Sequence, residues 1–297
     1  MRYVKERAHG KINLALDVLR KREDGYHDVR MIMQSVGIYD SVEIRLIEKT
    51  LDDKPQIDIE TNLTFLPTNE NNLAYKAASL LMEEFNIYYH ISIKIKKMIP
   101  VAAGMAGGSA DCAAVLKGVN KMFELGLSIE ELKARGVKLG ADIPYCLMGG
   151  TALSEGIGEI LTPLKPMPDC YIILAKPFIN VSTKFVYNNL KANELTCHPD
   201  IDGMIEAINN KDFYGMASRL GNVLETVTET EYPVINEIKM LMKKLGAVNA
   251  MMSGSGPTVF GLYDDIALAK KSVQILKDSK LCRQVYITDG GDGDERY

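Results

Sequence analysis

Apolar and polar residues alternate with a period of two over 10–19, 42–47, 56–60 and 91–96, and this predicts strands, because successive side chains of a strand face opposite ways. Between them the apolar spacing changes to three and four. That spacing predicts helices over 73–85 and 110–123, and a third over 129–139 that opens on Ser128 and Glu131 in the S-x-x-E form of a capping box. A second group starts with the apolar run CYIILA at 170–175. It continues through helices expected over 182–191, 213–219 and 234–245, then closes with a strand over 259–263, a helix near 267–276 and a strand over 284–288. Pro163, Pro166 and Pro168 punctuate the junction, so the expected division is 1–163 and 164–297, a mixed α/β part followed by an α+β part. The tail GGDGDERY is expected to be loose.

Composition narrows the reading only slightly. A hydrophobic share of 46%, a quarter of the residues charged and a net charge of −4 are ordinary for a globular enzyme and give no support to a nucleic-acid partner, which favours a basic face. The opening MRYVKERAHGK is too charged for a signal sequence, and no apolar run approaches the roughly 18 residues of a membrane span, so a cytoplasmic protein is expected. Five cysteines, an odd number with no C-x-x-C pair, suggest neither a disulfide framework nor a zinc site.

The candidate chemistry begins at 100–114, PVAAGMAGGSADCAA, where a glycine-rich turn runs from an expected strand into an expected helix. Gly104, Gly107 and Gly108 are expected to supply positive φ and close backbone approach, with Ala102, Ala103 and Ala106 in ordinary backbone regions. Free N–H groups over 109–112 then face an anion, with a nucleotide polyphosphate the foremost candidate. No Gly-Lys-Ser/Thr follows, the G-x-G-x-x-G spacing is absent, and no HRD or DFG marks a protein kinase. On this cluster alone, a tightly packed helix entry explains the glycines equally well.

Two further stretches, AHGKINLALDVLRKREDGYHDVRM near the N-terminus and MMSGSGPTVFGLYD near 255, break that tie. In order and rough spacing the three resemble the three motifs of the GHMP small-molecule kinase superfamily, over nearly the whole chain. The resemblance implies a two-lobed α+β fold with the active site in the cleft between lobes, and ATP with Mg2+ as phosphoryl donor. The Asp-Gly-Tyr-His run and LGADIPYCLMGGTALSEGIGE narrow it to members that phosphorylate the 2-hydroxyl of a cytidine-diphosphate-linked methylerythritol in non-mevalonate isoprenoid precursor synthesis. Other members, acting on mevalonate, homoserine or a sugar, have no use for a Tyr-His base reader. A non-catalytic nucleotide-binding protein on the same scaffold would tolerate loss of Lys11 or Asp142, and both are present.

Residue by residue, the resemblance makes Asp142 the proton acceptor and Lys11 the group that holds the acceptor hydroxyl. It assigns cytosine recognition to His27, with Tyr26 and Tyr187 on the ring faces and Phe185 as the alternative to Tyr187, and the sugar-alcohol portion to Asn13. Asn72 and Lys97 match adenine-pocket positions, although Asn72 reads equally as a helix cap and Lys97 as a strand end. Pro100, Gly104, Met105, Ala106, Gly107, Gly108, Ser109 and Ala110 form the implied phosphate loop, with Ser109 on a phosphate or on magnesium; no dedicated metal carboxylate is identified. Gly254 and Ser255 are expected at the substrate and, with Gly256, as a buttress to the loop; the alternative is a tight strand-to-strand turn that touches no ligand.

Overall fold

The computed structural model describes residues 2–51 and 53–291, so most of the tail expected to be loose, from 292 on, lies outside the described residues. Two long strands come first, β1 (Tyr3–Lys21) and β2 (His27–Lys49). They are followed by β3 (Gln56–Thr61), α1 (Leu73–Glu84), β4 (Tyr89–Lys96), α2 (Gly107–Met122), α3 (Ile129–Gly136), α4 (Ile143–Met148), β5 (Thr151–Glu155) and β6 (Ile160–Pro163). The remainder runs β7 (Tyr171–Pro177), α5 (Thr183–Asn189), α6 (Ile201–Asn209), α7 (Phe213–Ser218), β8 (Gly221–Asn222), α8 (Glu225–Glu231), α9 (Val234–Lys244), β9 (Asn249–Met252), β10 (Val259–Tyr263), α10 (Ile266–Asp278) and β11 (Cys282–Thr288).

Contacts gather the chain into two compact units that interleave in sequence. The first takes residues up to Gly10, Ile38–Val101 and Ala106–Met148; the second takes Lys11–Gly37, Ala102–Met105 and the chain from Gly149 on. A linear division at 163 and this one differ because prolines report local chain breaks, whereas membership of a strand follows its pairing partners. Ala15 and Leu16 of β1 pair in parallel with Gly221 and Asn222 of β8, some 200 residues away in sequence.

In the first unit β3 lies parallel to β4, from Gln56 opposite His90 to Thr61 opposite Ile95, and β4 is antiparallel to the second half of β2. Val42, Ile44, Ile57, Ile59, Ile91, Ile93 and Ile95 supply one buried face, and each fully buried aliphatic side chain contributes roughly 1.5–3 kcal/mol. Helix α1 packs its Ala74, Ala77, Ala78, Leu81 and Met82 stripe inward beside α2. The capping box that opens α3 is complete, Ser128 and Glu131 each bonding the other's backbone.

In the second unit a four-stranded antiparallel sheet, β11-β7-β10-β9, is backed by α9 and α10. The first half of β2 pairs antiparallel with β5, Met31 opposite Ser154 through Gln34 opposite Thr151, and β5 pairs with β6. Residues 31–36 of β2 are buried without a break, which removes the alternation that a one-sided strand would show.

Candidate active site

Within the glycine-rich segment the backbone assignments differ from the sequence expectation. Gly104 has φ +72°, but the other left-handed residues are Ala102 at +51° and Ala106 at +55°, while Gly107 and Gly108 take ordinary helical geometry as the first residues of α2. The reason is that α2 starts at Gly107, so the reversal of the chain must occur just before it. Ala102 and Ala106 therefore hold a conformation that costs an L-residue about 1–3 kcal/mol. What Gly107 contributes is a missing side chain: a Cβ there would lie 3.1 Å from Ile99 Cγ2 and 3.5 Å from Lys97 Nζ.

Helix α2 begins without a side-chain cap. Its N-cap is Ala106, whose carbonyl accepts from Ala110 N–H at 2.9 Å, and the amides of Gly107, Gly108 and Ser109 precede the first intrahelical donor. A 16-residue helix with an uncapped start places partial positive charge where an anion fits.

In the second unit Lys11 and Asn13 lie on the same face of β1 by strand alternation. Both are buried, and Lys11 Nζ donates to Asn13 Oδ1 at 2.8 Å while Asn13 Nδ2 reaches Met31 Sδ at 3.1 Å. The amide of Asn13 thus lies behind the Lys11 ammonium, which carries three donors. Lys11 N–H also donates to Met105 O at 3.1 Å. The SGSGP turn meets the same segment from another side: Ser253 Oγ donates to Gly104 O at 3.0 Å, and Thr258 N–H to Ala103 O at 3.4 Å. A Cβ on Gly104 would strike the Ser253 carbonyl oxygen, so glycine is required there for close approach as well as for φ. Gly254 and Ser255 accordingly sit in a turn that buttresses residues 102–105, and Ser255 Oγ is 2.8 Å from Thr183 Oγ1 at the start of α5.

The Asp-Gly-Tyr-His run makes the turn between β1 and β2. Arg22 N–H donates to Tyr26 O, Tyr26 N–H donates to the Asp24 carboxylate at 3.0 Å, and Gly25 takes φ +87°. That amide, then Arg22, hold the Asp24 carboxyl below the usual carboxylate range. The turn leaves Tyr26 58% exposed and His27 only 8% exposed. The His27 ring packs against Tyr187 of α5, centroids 5.1 Å apart and planes tilted by 46°. Burial, then the charge of Lys21, push the His27 pKa down, so at neutral pH the imidazole offers one donor and one acceptor. Of the two candidate rings on α5, Tyr187 is the one beside His27, while Phe185 faces solvent.

On the first unit Lys97 carries a role absent from the sequence reading. Its ammonium is buried between Asp40 and Asp111, 2.5 Å from Asp111 Oδ2, and it also reaches Gly107 O at 3.4 Å. Asp40 Oδ1 in turn accepts from Met98 N–H at 2.5 Å and Ile99 N–H at 2.8 Å. The backbone of Lys97 is likewise engaged, by both ends of the Asn62 amide. A buried ammonium demands such compensation, and the side chain braces the end of β4 against the first turn of α2. Burial raises the Asp111 pKa, Lys97 opposes it and Asp40 adds to it, leaving Asp111 at about 7. The two carboxylates outweigh the effect of burial on Lys97, whose own pKa is pushed up. Asp111 Oδ1 is buried without a hydrogen-bond partner.

Asn72 caps α1, its Oδ1 accepting from Ala74 N–H at 2.9 Å and its Nδ2 donating to Pro67 O at 2.8 Å, so the capping alternative describes its polar atoms. Pro100 and Met105 are buried, and Ser109 is half-buried in the first turn of α2. Asp142 belongs to the first unit and Lys11 to the second. Asp142 is half-buried, and its carbonyl accepts from Cys146 N–H at 3.0 Å as α4 begins. Among the described residues no three His, Cys, Asp or Glu side chains gather as a metal cage. Asp40, Asp111 and Asn222 were not singled out from the sequence; a carboxylate at 111 among Ala110, Cys112 and Ala113 was the available signal for the first pair.

Comparison with known proteins places this geometry in context. Residues 72–150 match the GHMP kinases N terminal domain and residues 196–278 the GHMP kinases C terminal domain. The chain is 54% identical over 282 residues to a 4-diphosphocytidyl-2-C-methyl-D-erythritol kinase of Lachnoclostridium phytofermentans, covering 95% of each protein. It is 50% identical to one of Clostridium perfringens, covering 96% of this chain and 97% of the relative. Among solved structures, a 4-(cytidine 5'-diphospho)-2C-methyl-D-erythritol kinase superposes with a TM-score of 0.82 at 29% identity, covering 97% of this chain and all of that one. A homoserine kinase from Cytophaga hutchinsonii superposes at 0.73 with 20% identity, a likeness of fold.

Proposed function

The chain belongs to the 4-diphosphocytidyl-2-C-methyl-D-erythritol kinase family of the GHMP kinases, and from that premise we propose that it transfers the γ-phosphoryl group of ATP to the 2-hydroxyl of 4-diphosphocytidyl-2-C-methyl-D-erythritol, a step of non-mevalonate isoprenoid precursor synthesis. The α+β fold is that of GHMP kinases. No helix among the described residues is long and apolar enough to cross a membrane.

Phosphoryl transfer asks a protein chiefly to position an alcohol and to neutralise charge. The open amides of Gly107, Gly108 and Ser109 suit the nucleotide phosphates, with Mg2+ supplying further neutralisation when bound. Lys11, steadied by Asn13, would hold the acceptor hydroxyl, and Asp142 would take its proton. A loose transition state releases the proton late, so a weak base suffices.

The observation that carries the substrate assignment is the buried His27 ring against Tyr187, with Tyr26 exposed in the same turn, which suits a base-edge reader. Phosphorus NMR of reactions with ATP and either the cytidine-linked methylerythritol, mevalonate or homoserine tests it. A new phosphomonoester resonance is expected with the first alone. Turnover of mevalonate or homoserine in its place would overturn the assignment.

A further inference from the structure

Two residues outside every motif named so far hold the third motif in place. We propose that Asn222 and Glu225, at the two ends of the sequence NVLE that runs from the last residue of β8 to the first of α8, are positioning residues for the phosphate loop: they fix the backbone of 252–254, and the turn that follows fixes residues 103 and 104. The proposal rests on the kinase reading above and adds to it the parts that hold the loop in register.

Asn222 is buried, and its side-chain amide is fully used. Nδ2 donates to Met252 O at 2.9 Å and to Gly254 O at 2.8 Å, while Oδ1 accepts from Leu224 N–H at 3.0 Å. Only an asparagine side chain offers two donors and one acceptor at this reach. Aspartate would set a carboxylate against two carbonyl oxygens, and leucine would leave both unpaired. Glu225 grips the same strand end from its own side, Oε1 accepting from Met252 N–H at 2.7 Å and Oε2 from Lys239 Nζ at 2.8 Å.

The turn so held transmits its position through backbone. Ser253 bonds Gly104 O, Thr258 N–H bonds Ala103 O, and Gly104 approaches the Ser253 carbonyl too closely for any side chain. Met105 O then takes the Lys11 amide. Asn222 is also tied directly to the strand of Lys11 and Asn13, since it pairs with Leu16 of β1. One residue thus joins the catalytic strand, through its backbone, to the glycine turn, through its side chain. A shift of the 252–254 backbone would move the Ala103 and Gly104 carbonyls that the turn holds.

The test uses the full chain with Asn222→Leu, Asn222→Asp, Glu225→Ala and Glu225→Gln, each assayed for ATP affinity by calorimetry without acceptor, for the KM of both substrates, and for Tm. Burying unpaired carbonyls near the loop is expected to weaken ATP binding about tenfold or more in both Asn222 variants, with KM for ATP moving more than KM for the acceptor. Gln at 225 keeps an oxygen for Met252 N–H, so it should recover most of the affinity lost with Ala. A lowered Tm with unchanged ATP affinity would overturn the proposal, as would equal affinities in the two Glu225 variants, which decide the matter if Asn222→Leu does not fold. Wild-type protein that fails to bind ATP would instead remove the kinase reading itself.

Discussion

At position 142 a half-buried carboxylate is assigned the proton of the acceptor hydroxyl, and Asn at that position keeps the shape while removing the base. Turnover of Asp142→Asn is expected to fall by about 10² to 10⁴ with ATP affinity unchanged, and near-normal kcat would remove the assignment. Asp111 makes a different demand, because burial and the neighbouring Asp40 push its carboxyl up to about 7 while Lys97 pulls it down. A carboxyl whose folded pKa lies above its unfolded value near 4 contributes stability below that value and loses it as pH rises toward 7. Wild-type stability should therefore decline across that window relative to Asp111→Asn, by at most about 1.4 kcal/mol per pH unit, in urea unfolding of both proteins. Parallel curves would show that Asp111 titrates as an ordinary carboxylate. Neither Asp40 nor Asp111 is legible as a buried partner of Lys97, since a carboxylate in a sequence reads by default as a surface charge. Conversely, Lys11 and Asp142 are legible only through the motifs that contain them.

Helix α5 carries the clearest function assigned to an element. Ser182 caps it, accepting from Phe185 N–H at 3.3 Å, and Thr183 in its first turn contacts Ser255, so Tyr187 reaches His27 from a helix pinned at its start. Tyr187→Ala should raise the KM of the cytidine-linked substrate by a stacking contribution of roughly 1–3 kcal/mol while leaving the KM for ATP in place. Equal losses in both would show a general disturbance of α5. Elements with a one-sided face or a cap, such as α1, α3 and β4, are visible in apolar spacing and capping residues. The first half of β2 is not, because burial on both faces leaves no period to read. In the glycine segment the presence of a turn is legible, whereas its φ angles are not: left-handed geometry falls on Ala102 and Ala106 because α2 starts one residue after the latter, a boundary that propensity leaves open.

Over the whole molecule the chain interleaves, residues 11–37 joining a unit built mostly from 149 onward. Such long-range pairing, Ala15 with Gly221 and Leu16 with Asn222, has no local signature, so motif order was legible and unit membership was not. The central claim joins these scales: the turn of β1 and β2 presents His27 to a cytosine carried by the phosphoryl acceptor. Cytosine offers an N4 donor and an N3 acceptor, whereas uracil offers an acceptor and a donor at the same places, so a site built for one leaves buried groups unpaired with the other. The most direct measurement is kcat/KM for 4-diphosphocytidyl-2-C-methyl-D-erythritol against its uridine counterpart, in wild type and His27→Ala. A preference for cytidine on the order of 10⁴, less where water enters, is expected in wild type and should erode in the variant. Equal kcat/KM for the two substrates in wild type would contradict the account.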